Sequence, residues 1–154
     1  MNKKTNISFI LLIIFTLTTL NIQSQSIIEV RKLLEEKDKS SSIVYAQKIA
    51  KSSNPVILGY AAKFYFLHAD YLLNPFSKLK YFNKDKQILY SCINAHPKIN
   101  DLRLLRYADQ KEIPAVLSYN NMQEDKILSK NALNKNTVDD KYLTEKIKET
   151  LHND

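Results

Sequence analysis

The sequence predicts an all-α fold: about five to seven antiparallel helices, arranged as repeat-like hairpins and preceded by a signal peptide. Three observations lead there. Glycine occurs once in 154 residues, at Gly59, whereas tight hairpins and phosphate loops draw on glycine's positive φ. Four prolines, Pro55, Pro75, Pro97 and Pro114, cut the chain into helix-length pieces, at positions where proline starts a helix or follows one. Between them the apolar residues recur every three or four positions.

The chain opens Met1-Asn2-Lys3-Lys4, continues with a mostly apolar run from Ile7 to Leu20, and leaves through polar Asn21–Ser26. A basic start, an apolar stretch and a polar exit make a secretory signal peptide, with cleavage expected after Ser24 or, second, after Ser26. The run is shorter than the ~20 apolar residues that span a bilayer, which favours a cleaved leader over a permanent anchor. A first helix follows at 26–38, opened by the capping box Ser26-x-x-Glu29. A second begins within Ser40–Ser42 and carries Ile43, Ala46, Ile49 and Ala50. The third runs from Asn54-Pro55 to about Leu73 and is apolar nearly all round, broken by Lys63, His68 and Asp70, so it is expected to be central. Gly59, Ala62 and Ala69 on one side would let a neighbour approach closely. The fourth helix starts at Asn74-Pro75 or Ser77 and ends by His96-Pro97, with Leu79, Phe82, Leu89, Cys92 and Ile93 inward. The fifth opens at Asn100 or Asp101, buries Leu102, Leu105 and Ala108, and stops at Pro114. Asn121-x-x-Glu124 and Thr137-x-x-Asp140 cap two further helices, the last with Leu143, Ile147 and Leu151 facing inward. This divides the chain into a leader over 1–24, a helical core over 25–118 and C-terminal helices over 119–154.

The formal charge is +7, and Lys3 and Lys4 belong to the leader, leaving +5. The excess is concentrated in one stretch: Lys78, Lys80, Lys84, Lys86 and Lys98 stand against Asp85 alone between Asn74 and Ile99. Cys92 is the only cysteine, so no internal disulfide can form and packing must hold the fold. One glycine excludes the glycine-rich phosphate and nucleophile-elbow motifs, and neither H-E-x-x-H nor C-x-x-C occurs. The sequence implies no cofactor and no resident metal.

Residues 55–108 resemble a tetratricopeptide-type helical hairpin, on Leu58-Gly59 in the first helix and on Leu89, Cys92 and Pro97 closing the second, with the next helix beginning at Asp101. Asp85 stands where that family has a small residue, and Ala62 where it has an aromatic. The resemblance implies repeat-like packing and the binding of a protein or peptide rather than catalysis.

Four groups of residues are candidates for function. Asp70 interrupts the most apolar helix; burial would require a partner, for which Arg103 and Arg106 are expected, and otherwise His68 and Asp70 form an acid–base site. Cys92 and His96, four apart on one helix face, could pair a thiolate with an imidazole, although Cys92 also fits the core stripe. Lys78, Lys80, Lys84 and Lys86, interleaved with Tyr81 and Phe82, form either a solvated face or a site for an anionic envelope surface; nucleic acid does not fit an exported chain. The nine tyrosines suit core packing with their hydroxyls at the surface. The expected function is an exported, non-enzymatic binding or scaffold module for a protein or peptide partner in the cell envelope. Two alternatives stay open: a small enzyme centred on His68/Asp70 or Cys92/His96, and a module tethered to the inner membrane by an uncleaved leader.

Overall fold

The computed structural model describes residues 27–36, 38–113, 121–135 and 140–152, which contain seven helices and no strand. The leader, Ser26 of the first capping box, and Thr137 lie outside the described residues. The contacts divide the chain into two units. The first contains α1, residues 27–35. The second, from Asp38 onward, contains α2 (Ser42–Ile49), α3 (Pro55–Tyr71), α4 (Pro75–Ala95), α5 (Asn100–Glu112), α6 (Met122–Asn134) and α7 (Lys141–His152).

Local chemistry sets most helix starts. The Asn54 side chain accepts from the amides of Val56 (2.8 Å) and Ile57 (3.4 Å). Asn74 does the same for Phe76 (3.0 Å) and Ser77 (3.1 Å). In both helices proline follows the cap, where its missing N–H costs nothing. Asp38 Oδ1 accepts from the Ser40 and Ser41 amides (3.0 and 3.4 Å), turning the chain into α2. Asp140 opens α7 by accepting from the Leu143 amide (3.2 Å). At α6 the outcome differs from the expected cap. The Asn121 carbonyl oxygen is occupied by the Tyr90 hydroxyl (2.8 Å), and its amide nitrogen donates to Glu124 (3.1 Å). Asn121 therefore ties α6 to α4 instead of capping its own amides.

α3 is the central helix, buried from Ile57 to Ala69 apart from Leu58 and His68. It packs against α2, α4 and α5. Tyr45 of α2 meets Phe64 with ring centroids 5.5 Å apart. Phe66 and Ala69 share a cluster with Phe82 of α4, flanked by Tyr81, Tyr90 and Ile113. The inward face of α4 consists of Phe82, Asp85, Leu89, Cys92 and Ile93; Leu79, expected inside, is exposed. α5 packs on α3, α4, α6 and α7. Its Leu104 joins Leu143 and Ile147 of α7, with Leu133 and Leu151 beside them, so the last two helices pack on the preceding ones.

Gly59 sets the spacing between α3 and α5. A Cβ there would lie 2.4 Å from Leu102 Cδ2 and 3.2 Å from Leu105 Cδ1. Leu102 is fully buried and has little room to retreat. At an open helical site Gly→Ala gains about 1 kcal/mol in helix propensity. At Gly59 the crowding should cancel that gain, so the urea midpoint of Gly59→Ala is expected at or below wild type. Gly59→Val should lose about 1–3 kcal/mol.

Candidate functional site

Packing α3, α4 and α5 together gathers one buried ionisable cluster. Lys63 lies on the buried side of α3, and its Nζ donates to Asp109 of α5 (2.5 Å) and to Glu112 (3.3 Å) while lying 4.5 Å from the Phe66 ring centroid. Lys63, Asp109 and Asp85 of α4 are all buried; Glu112 is half exposed at the edge. Asp85 hydrogen-bonds to Asp109. Two carboxylates both accept and neither donates, so one acid of this pair keeps its proton. One ammonium and one carboxylate then balance, which is how a buried cluster avoids a net charge. Burial, the larger influence, lifts the Asp109 carboxyl to about 6, and Lys63 opposes it. Lys63 is itself raised, because its carboxylate neighbours outweigh the cost of burial. The cluster can hold or release a proton near pH 6.

On the other flank of α5, Arg106 grips the buried Asp125 of α6 with two hydrogen bonds, Nε to Oδ2 (2.6 Å) and Nη2 to Oδ1 (2.8 Å). This planar fork suits a carboxylate. Arg103 adds bonds to Asp125 (3.1 Å) and Glu124 (3.0 Å), and the Arg106 guanidinium lies over the Tyr90 ring, 5.2 Å from its centroid. Toward α3, the Tyr60 hydroxyl donates to Asp101 (3.0 Å). Toward α7, Lys111 Nζ donates to the Thr150 carbonyl (2.9 Å).

The expected ion pair of Asp70 with Arg103 or Arg106 is therefore not formed. Asp70 pairs with Lys39, both half exposed, and that hydrogen bond holds its carboxyl below the usual range. The reason is register. Tyr60 meets Asp101 and Lys63 meets Asp109, so α3 and α5 run side by side in the same direction. Asp70 is seven residues beyond Lys63, ~10 Å further along the axis, while the two arginines lie before Asp109. His68 is only partly buried and stands edge-on to Tyr81 (4.6 Å between centroids), its pKa lowered by burial; it does not converge on Asp70. Cys92 and His96 are linked by the helical hydrogen bond from His96 N–H to Cys92 O (2.8 Å); burial raises the thiol, and His96 is exposed. Neither pair presents the geometry of an activated nucleophile.

Lys78, Lys80 and Lys84 are exposed on α4, and Lys86 is partly buried. Lys84 Nζ lies 4.1 Å from the Tyr65 centroid, and Lys80 Nζ 5.6 Å from that of Tyr81. Beside these lysines, at the α3–α4 turn, are four exposed apolar side chains: Tyr71, Leu73, Phe76 and Leu79. The sequence reading missed this patch by assigning Leu79 and Leu73 to helix interiors. An open cleft between α6 and α7 is lined by Lys126, Lys130, Lys148 and His152 with Glu149. No group of side chains suited to a metal ion occurs among the described residues.

Three variants check these assignments. Asp109 has a folded pKa above its unfolded value, so the folded state holds the proton more tightly between about pH 4 and about 6, and its contribution to stability falls as pH rises through that window. Asp109→Asn should lack this slope, so the stability difference between variant and wild type should change across that window. At pH 7 it should also lose about 3–5 kcal/mol, since Lys63 is left short of its partner. Arg106→Ala should likewise cost about 3–5 kcal/mol, with strong coupling to Asp125→Ala in a double-mutant cycle. Asp70→Ala should leave the denaturation midpoint nearly unchanged, because its ion pair is solvent-exposed.

No protein-family model, curated protein or solved structure matches this chain.

Proposed function

We propose that the chain is an exported, non-enzymatic helical module of the bacterial cell envelope, and that it works by surface contact through the α3–α4 turn. The observation carrying this reading is the exposure of Leu73 (99%) and Phe76 (81%), with Tyr71 and Leu79 beside them, next to Lys78 and Lys80. Large apolar side chains grouped at one exposed place, rimmed by polar residues, mark interaction sites. The buried cluster of Lys63, Asp85 and Asp109 supports the non-catalytic part. Its acids are fully buried, and each charge is opposed within the packed interior, as in a structural tie. Export is carried by the leader pattern over residues 1–24. A turn of this kind suits both partner classes raised by the sequence, a protein or peptide and an anionic envelope surface.

A photo-crosslinking residue at position 73 tests the contact surface in the exporting cell. It should give a defined adduct, to a protein or to lipid, that is absent when the same residue replaces Glu145, an exposed position on α7. Identical patterns from both positions, or no adduct from position 73, would reject the α3–α4 turn as the contact surface.

A further inference from the structure

We infer that the α3–α4 turn docks on an anionic phospholipid bilayer, with Leu73 and Phe76 entering the boundary between headgroups and acyl chains and Lys78, Lys80 and Lys84 facing the lipid phosphates. This rests on the reading of that turn as the contact surface and names its occupant.

Charge complementarity is the first support. Asp85 is the one acid in α4, and it is buried in the interior against Asp109, so it does not offset the lysines at the surface. The exposed acid nearest in sequence, Asp70, is paired with Lys39. Among the described residues no carboxylate forms an ion pair with Lys78, Lys80 or Lys84; Asp70 feels the charge of Lys78 but is held by Lys39, so lysines outnumber acids at this end of α4. Each lysine close to an anionic leaflet adds to attraction, and the effect fades within a Debye length, which suits Lys78 and Lys80, within two turns of the tip, with Lys84 a turn further back.

The arrangement of the apolar residues is the second support. Phe76 and Lys80, four apart, lie on the face of α4 turned away from buried Phe82, Asp85 and Leu89, and half-exposed Leu79 lies at the edge between the two faces. The most exposed apolar residue, Leu73, lies in the link between the two helices rather than in a groove. Such a projecting tip can sink into a soft interface without a matching cavity, while the lysine stems let their ammonium groups reach back to the headgroups. Tyr71, half exposed at the end of α3, has the amphipathic ring that collects at the same depth.

The test uses the protein as the exporting cell leaves it, carrying an environment-sensitive nitrobenzoxadiazole label on Leu73→Cys or, as control, on Glu145→Cys; buried Cys92 stays unlabelled in the folded state. Vesicles of phosphatidylglycerol and phosphatidylcholine should shift the position-73 emission to the blue and leave position 145 unchanged. Pure phosphatidylcholine should give a much smaller effect. Phe76→Ser should weaken binding roughly tenfold or more, and Lys80→Gln roughly fivefold. Both positions are exposed, so thermal melts should match wild type. No shift at position 73 with anionic vesicles, or an equal shift with neutral ones, would overturn the inference. If position 73 also crosslinks to a protein in the cell, the occupant is a protein and the contact-surface reading survives. If neither signal appears, both fall.

Discussion

The packing of α2 to α7 depends on α5, a polar helix that must bury charge on both flanks. On one side Asp109 receives Lys63; on the other Arg106 and Arg103 hold Asp125. A buried charge without a partner costs several kcal/mol, so α5 cannot take its place until α3, α4 and α6 are in register. A purely apolar α5 would be more permissive, since leucines tolerate a slide or a rotation that a bidentate Arg–Asp pair does not. The ion pairs thus act as registry pins, and the apolar contacts at Leu102, Leu105 and Leu104 fill in around them.

The interior cluster and the surface patch are two sides of the same helix. α4 turns Asp85 inward to hydrogen-bond with Asp109 beside Lys63, and by doing so withdraws its only acid from the solvent face. What remains outside is lysine, together with Phe76 and Leu79 at the N-terminal end, where α4 extends past the end of α5. The structural requirement of the core therefore shapes the surface. Within α2 to α7, the charge-pinned packing thus leaves an apolar and basic end at the α3–α4 turn.

Features governed by neighbours within a turn were legible in the sequence. Asn54-Pro55 and Asn74-Pro75 start helices because the asparagine oxygen reaches amides two and three residues on. Gly59 marks a close approach because a Cβ there would crowd Leu102. Asn121-x-x-Glu124 shows the limit. The helix begins where the pattern places it, but a tyrosine 31 residues away takes the oxygen that would have capped it.

By itself, then, the sequence determined the helical class, a count of about five to seven helices, and their order along the chain. Tertiary structure alone decided which charges meet. Arg106 is 19 residues from Asp125, and Lys63 is 46 from Asp109, so no local spacing links them. The side-by-side register of α3 and α5 sends Asp70 past the arginines to Lys39, and the rotation of α4 hides Asp85 while exposing Leu79. Local hydrogen bonding fixes where a helix starts, whereas the cost of burying an unpaired charge fixes how the helices turn toward one another, and that cost exists only once the chain has packed.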